Sequence, residues 1–124
     1  MGLFNTIFGA TPNDSSSKLN WNPLSELDQL DTIIENSKTK TQVIFKHSTR
    51  CGISRAVLKQ FEKKTIDDTT IDLYYLDLLN YRTISNELAS KFNVQHQSPQ
   101  LLVVKNEKVI AHDSHYDLLN VEME

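Results

Sequence analysis

The chain has 124 residues, of which 39% are hydrophobic and 23% are charged, and its net charge is −3. This length and composition predict one domain with one hydrophobic core and exclude a disordered polyelectrolyte. The mild acidity gives no electrostatic reason to bind nucleic acid or an anionic membrane. Because the sequence has neither an apolar run long enough to span a bilayer nor a signal-peptide pattern, we expect a cytoplasmic protein.

The first residues of the chain differ in composition from the rest. Residues 1–18 are expected to form a flexible tail in front of a domain at 19–124, since Thr11 to Ser17 is polar and turn-forming, as in a linker. Four apolar residues share one helical face and predict a short helix in the tail: Leu3, Phe4, Ile7 and Phe8. The N-terminus also fits the short myristoylation pattern, which often occurs by chance.

Hydrophobic periodicity predicts helices that alternate with strands. The first helix is expected to open at Asn22-Pro23, because proline favours the first helical turn, and to end near Ser37. The later elements are a strand at 41–47, a helix from Cys51 to Lys64, a strand at 71–78, a helix at 83–92, a hairpin of strands at 100–105 and 108–111, and a short helix at 115–121. This order favours parallel pairing followed by an antiparallel hairpin. The predicted fold class is α/β, with a four-stranded mixed sheet flanked by helices on both faces.

The only cysteine, Cys51, lies where the first predicted strand gives way to a helix. With one cysteine, no intramolecular disulfide can form. The first N–H groups of a helix have no partner within it, and the helix dipole adds positive potential there, so a thiolate at this point is stabilised. The alternative is an inert buried cysteine. The polar neighbours, Thr49, Arg50 and Ser54, favour a reactive thiol.

The surroundings of Cys51 indicate a monothiol site. Ser54 occupies the place of the second cysteine in a Cys-x-x-Cys motif, where a hydroxyl can donate a hydrogen bond to a thiolate but cannot form a disulfide. Arg50 is positioned to attract a thiolate or a substrate carboxylate. Such a site accepts a small thiol or a protein as a mixed disulfide and needs an external thiol for release.

A second candidate segment is Gln97-Ser98-Pro99. Proline at the first residue of a strand is tolerated, and this is one interpretation. The other is a cis peptide, which would expose the backbone of Gln97 and Ser98 for pairing with an extended substrate. The residues alone leave the isomer open.

The four histidines give no strong metal signal, and no metal site is expected. His112 and His115 span a predicted loop with no cysteine nearby, and a solvated pair is the simpler interpretation. His47 is close to Cys51 in sequence, but no orienting group for a Cys–His pair can be named. His96 is expected in the loop beside the site.

Two segments together resemble the monothiol bacilliredoxin family: Val43-Ile44-Phe45-Lys46-His47-Ser48-Thr49-Arg50-Cys51-Gly52-Ile53-Ser54, followed by Phe61-Glu62, and His96-Gln97-Ser98-Pro99-Gln100. The resemblance extends from about Trp21 to the C-terminus. It implies a thioredoxin-like fold, Cys51 as the nucleophile and Pro99 as a cis-proline. Members of the family usually have Cys-Pro-Ile-Ser at the site, whereas this chain has Gly52 at the proline position, which loosens the loop.

The resemblance also implies an activity, the removal of bacillithiol, or a similar small thiol, from client proteins that carry it as a mixed disulfide. The small thiol is then a co-substrate, no cofactor is tightly bound, and an external thiol or reductase completes the cycle. Whether Cys51 acts as a catalyst or as a thiol sink stays open.

Two other classes of function remain as alternatives. The run from Cys51 to Ser54 is close to the Cys-Gly-Phe-Ser motif of monothiol glutaredoxins, a family that binds glutathione and shares iron–sulfur clusters. The third class is a non-catalytic thioredoxin-like binding module with an incidental thiol.

Overall fold

The computed structural model describes residues 19–123, so the predicted tail and its helix lie outside the described residues. The elements in chain order are β1 (Trp21–Pro23), α1 (Asp28–Asn36), β2 (Thr41–His47), α2 (Gly52–Phe61), β3 (Ile71–Asp77), α3 (Arg82–Phe92), β4 (Gln100–Lys105), β5 (Lys108–Ser114) and a 3-10 helix (His115–Asn120). None of the helices described is long and apolar enough to cross a membrane.

The strands form one mixed sheet in the order β1-β3-β2-β4-β5. β3 runs parallel to both β1 and β2, β4 runs antiparallel to β2, and β5 runs antiparallel to β4. The predicted α/β class and the terminal hairpin are therefore confirmed. The prediction of four strands is wrong, because β1 adds a fifth at the edge of the sheet.

The additional strand lies where the sequence predicted the start of a helix. Trp21 pairs with Leu73 and Pro23 with Tyr75, while the Asn22 side-chain amide donates to the Leu73 carbonyl at 3.0 Å. Proline is tolerated here because β1 is an edge strand. The helix begins only at Asp28, after a turn in which the Gln29 side-chain oxygen accepts from two backbone N–H groups at 2.8 Å. A three-residue strand is too short to give a periodicity signal.

Hydrophobic residues cover both faces of the sheet. All seven residues of β2 are buried, as expected for a central strand with helices on both sides. One face packs against α1 and α3 through Leu30, Ile33, Ile44, Tyr74, Leu76, Ile84, Leu88, Leu102 and Val104. The other face packs against α2 and the 3-10 helix through Val43, Phe45, Val57, Phe61, Ile71, Leu73, Leu101, Val103 and Leu118. Neighbouring residues of β2 therefore contact different helices.

The end of β2 determines where the candidate site lies. Its last two residues, Lys46 and His47, are polar and yet buried. Lys46 pairs with Gln100 at the start of the antiparallel strand β4. The loop that leaves β2 toward Cys51 and the loop that enters β4 through Pro99 are therefore at the same edge of the sheet, which we call the site edge.

Candidate functional site

Cys51 occupies the N-cap position of α2. Its backbone is extended, with φ −100° and ψ 122°, its carbonyl accepts from Arg55 N–H at 3.1 Å, and its side chain is partly exposed. No side chain caps the N-terminus of this helix. The first N–H groups of α2 are thus free to stabilise negative charge on the Cys51 sulfur.

Ser54 lies one turn into α2 and is fully buried. Its Oγ accepts from Ser48 N–H at 3.0 Å and is 2.8 Å from His47 Nδ1. In this arrangement the hydroxyl joins the end of β2 to the loop before Cys51. No hydrogen bond joins Ser54 to Cys51 in the part of the chain that is described, and its donation to a thiolate stays a prediction.

His47 is a buried base on the α2 side of the sheet. It lies opposite Asp77 in the parallel register of β2 and β3. Burial lowers the pKa of His47, the Asp77 carboxylate partly opposes this, and the Arg55 guanidinium adds to it. The ring is therefore neutral near pH 7. It contacts Ser54 rather than Cys51, so it fixes the loop and does not form a direct Cys–His pair.

The residues on either side of Cys51 differ in their contacts. Arg50 is exposed and makes no hydrogen bond or ion pair within residues 19–123, so its predicted role with anions stays a prediction. A side chain at Gly52 would meet only Arg55 Nη2, at 4.0 Å, so the glycine is not required by a close contact. Arg55 donates to the Thr49 carbonyl at 3.1 Å and closes the loop from outside, a contact the sequence did not indicate.

The second loop contains the cis peptide. The Ser98–Pro99 bond is cis, as the resemblance implied. Pro99 is buried, Gln97 and Ser98 are partly exposed, and the Pro99 carbonyl accepts from His115 N–H at 3.0 Å. The Ser98 hydroxyl is buried without a hydrogen-bond partner in the described structure. The roles of Gln97, Ser98 and Pro99 in substrate binding stay predictions.

A buried lysine that sequence reasoning missed lies below this second loop. Lys46 Nζ is 2.8 Å from His96 Nδ1, and Ser85 Oγ is 3.5 Å from the same nitrogen. Lys46 is fully buried and His96 is exposed, as expected for a loop histidine. The available signal was a lysine directly after the apolar run Val43-Ile44-Phe45 of a central strand.

Within residues 19–123, no group of three or more His, Cys, Asp or Glu side chains is arranged to bind a metal ion. His112 and His115 are both exposed, the first on β5 and the second on the 3-10 helix.

The chain is similar to known proteins in both sequence and fold. A family model described as monothiol bacilliredoxin BrxC matches residues 22–123. A protein assigned as an oxidoreductase with a thioredoxin fold is 34% identical, with a TM-score of 0.68 over 79% of this chain and 85% of that chain.

Thioredoxins give the same fold at lower identity. The Malassezia sympodialis thioredoxin is 21% identical, with a TM-score of 0.67 over 84% of this chain and 86% of that chain. The Trypanosoma brucei brucei thioredoxin is 19% identical, with a TM-score of 0.62 over 79% and 80%. The thioredoxin-like fold predicted from the resemblance is confirmed.

Proposed function

The chain belongs to the monothiol bacilliredoxin family, and from that premise we propose that it removes bacillithiol, or a similar small thiol, from client proteins by thiol–disulfide exchange at Cys51. Membership in this family and the thioredoxin-fold relatives support a thiol–disulfide redox function. The identity of the small thiol and of the clients is the proposed part.

The position of Cys51 in the fold supports this proposal. The only cysteine of the chain is partly exposed at the uncapped N-terminus of a ten-residue helix, at the site edge. This is a position where a thiolate is stabilised and can be approached by a disulfide. An inert cysteine would instead be expected within one of the two apolar clusters, and Cys51 belongs to neither.

The proposed reaction is a pair of exchanges. The Cys51 thiolate attacks the sulfur of the small thiol, a new S–S bond forms to Cys51, and the bond from the small thiol to the client breaks. The client leaves as a thiolate and takes a proton from water. A second thiolate then attacks the mixed disulfide, releases Cys51 and becomes the new disulfide partner of the small thiol. Each exchange conserves the number of disulfides and thiols.

The neighbouring residues have supporting roles in this proposal. The first N–H groups of α2 stabilise the Cys51 thiolate, and Ser54 fixes the loop that presents it. Arg50 attracts negative charge on the substrate, and the backbone of Gln97 and Ser98 beside Pro99 pairs with the incoming disulfide. The chemistry needs no tightly bound cofactor, and the partners are bacillithiolated clients together with an external thiol or reductase.

The test is the intact mass of the reduced protein after mixing with a bacillithiolated client, with Cys51→Ser as the matched control. We expect one bacillithiol on the wild type and none on the variant. With excess free thiol, a catalyst releases more than one client per protein molecule, whereas a thiol sink stops at one.

Absence of transfer to the wild type contradicts the proposal. If a coloured dimer then forms on anaerobic reconstitution with iron, sulfide and glutathione, a glutaredoxin-like function is favoured. If neither occurs, a non-catalytic binding module is the better account.

A further inference from the structure

Lys46 is a buried cation without a counter-charge. Its side chain is fully buried at the end of β2, and its Nζ lies 2.8 Å from His96 Nδ1. No carboxylate of the described chain lies within ion-pair distance of it. Burying an ammonium group without an opposite charge is costly, and proteins rarely keep one without a reason.

The contact with Lys46 determines which nitrogen of His96 carries the proton. An ammonium group can only donate hydrogen bonds, so His96 Nδ1 must accept. The ring proton of neutral His96 is then on Nε2, on the opposite side of the ring. Because His96 is solvent-exposed, this N–H is available to a ligand.

Electrostatics around the pair favour an anion. Burial lowers the pKa of Lys46 to about 8, which leaves it mostly charged at pH 7. Burial also lowers the pKa of His96, and the nearby charges of Lys46 and Arg82 lower it further. A neutral histidine in a positive environment offers a hydrogen-bond donor to an anion without needing to bind a proton itself.

The location of the pair connects it to the thiol chemistry. Lys46 is opposite Gln100 in the sheet, and Gln100 directly follows the cis Ser98–Pro99 peptide. His96 precedes Ser98 by two residues. The Ser98 hydroxyl in the same loop is buried and has no partner among the described residues. The loop that carries His96 also contains the Gln97-Ser98-Pro99 segment that is proposed above to bind the incoming disulfide, so in that proposal His96 is close to the small thiol.

We infer that Lys46 and His96 form a subsite for a carboxylate group of the small thiol that Cys51 accepts. His96 Nε2–H donates to the carboxylate. Lys46 supplies the positive charge that attracts the carboxylate and fixes the orientation of the His96 ring. This inference rests on the proposed function and specifies its substrate class, which is small thiols that carry a carboxylate.

The test compares two nearly isosteric thiols that differ in charge. A reporter protein is prepared as a mixed disulfide with 3-mercaptopropionate or with its neutral amide, and the rate of transfer to Cys51 is measured for each. We expect the wild type to accept the carboxylate about tenfold faster, the size of one charge-assisted contact. Lys46→Met and His96→Phe should each reduce this ratio severalfold, to the preference that Arg50 alone contributes.

Lys108→Met is the matched control, since it removes one positive charge from an exposed residue where β5 begins, far from the site edge. It should keep the tenfold preference. His96 is exposed, so His96→Phe gives an answer even if Lys46→Met does not fold. Equal rates for the two thiols in the wild type, or an undiminished preference in the His96 variant, would overturn the inference while leaving the proposed function intact. Failure to transfer either thiol would instead remove the proposed function on which the inference rests.

Discussion

The two sides of the sheet hold the loops at the site edge through different polar contacts. Lys46 and His47 are consecutive in β2, both are buried, and each has a side-chain hydrogen bond to a different element. His47 contacts Ser54 and through it the loop before Cys51, whereas Lys46 contacts His96 in the loop before Pro99. Because side chains alternate along a strand, one dipeptide supports both loops from opposite faces of the sheet.

The two sides differ in whether a carboxylate lies near the buried basic residue. On the α2 side, Ser54 joins two protein groups within 3.0 Å, and the Asp77 carboxylate lies near His47, although its Oδ1 is buried without a hydrogen-bond partner among the described residues. On the α3 side, a cation has only a neutral histidine as its close partner. The α2 side therefore has its own negative charge near the buried base, whereas the α3 side has none near Lys46 among the described residues and can accept one from a ligand.

The largest expected effect compares two buried serines that lie on opposite sides of the sheet. Ser54→Ala leaves His47 Nδ1 and Ser48 N–H without their partner, and we expect it to lower the free energy of unfolding by about 2–3 kcal/mol. Ser85→Ala removes only a 3.5 Å contact and should cost less than about 1 kcal/mol. Urea unfolding of both variants checks the difference, and equal losses would contradict the distinction between the two sides.

The pH dependence of stability, compared between the wild type and Lys46→Met, tests the burial of the cation on the α3 side. Burial lowers the pKa of Lys46 to about 8 in the fold, against the ordinary lysine value of 10.5. The unfolded chain therefore binds more protons between these values, and stability rises with pH across that window. Relative to the variant, the wild type should gain about 2 kcal/mol between pH 7.5 and 9.5. If the free energy of unfolding changes with pH by the same amount in the wild type and the variant over this range, Lys46 is not desolvated in the fold.

The corresponding experiment on the α2 side has a different pH window. Because the pKa of His47 is lowered in the fold, its stabilising contribution is complete above the ordinary histidine value of 6.5 and is lost as the pH falls below it. Thermal unfolding of the wild type and His47→Asn from pH 7.5 to 5 should show a steeper fall for the wild type. If the stability of the wild type falls less than that of the variant over this pH range, the pKa of His47 is not lowered in the fold.

The smallest effect concerns Gly52. Cys51 is in the extended conformation that a following proline requires, and the space around Gly52 is open. Gly52→Pro should therefore raise the free energy of unfolding by about 0.5–1 kcal/mol by restricting the unfolded chain. Gly52→Ala separates this effect from the loss of the N–H group, and a destabilised alanine variant would reveal a strain at this position.

Much of the fold followed from local patterns. The strand at 41–47 and the site at its end were predicted because the run is rich in β-forming residues and is followed by a cysteine at the start of a helical period. The hairpin was predicted from two short apolar runs separated by two residues. The cis form of Pro99 came only through the family resemblance, since the local sequence permits both isomers.

The sequence by itself determined the order of the main elements and the position of Cys51 at a helix start, because these depend on periodicity within one segment. Tertiary structure decided that Trp21–Pro23 is an edge strand, since its hydrogen bonds are made with β3, about fifty residues away. It also decided the partners of Lys46 and His47. Those partners are contributed by other elements that pack on opposite faces of the sheet, and no spacing along the chain records which groups will meet there.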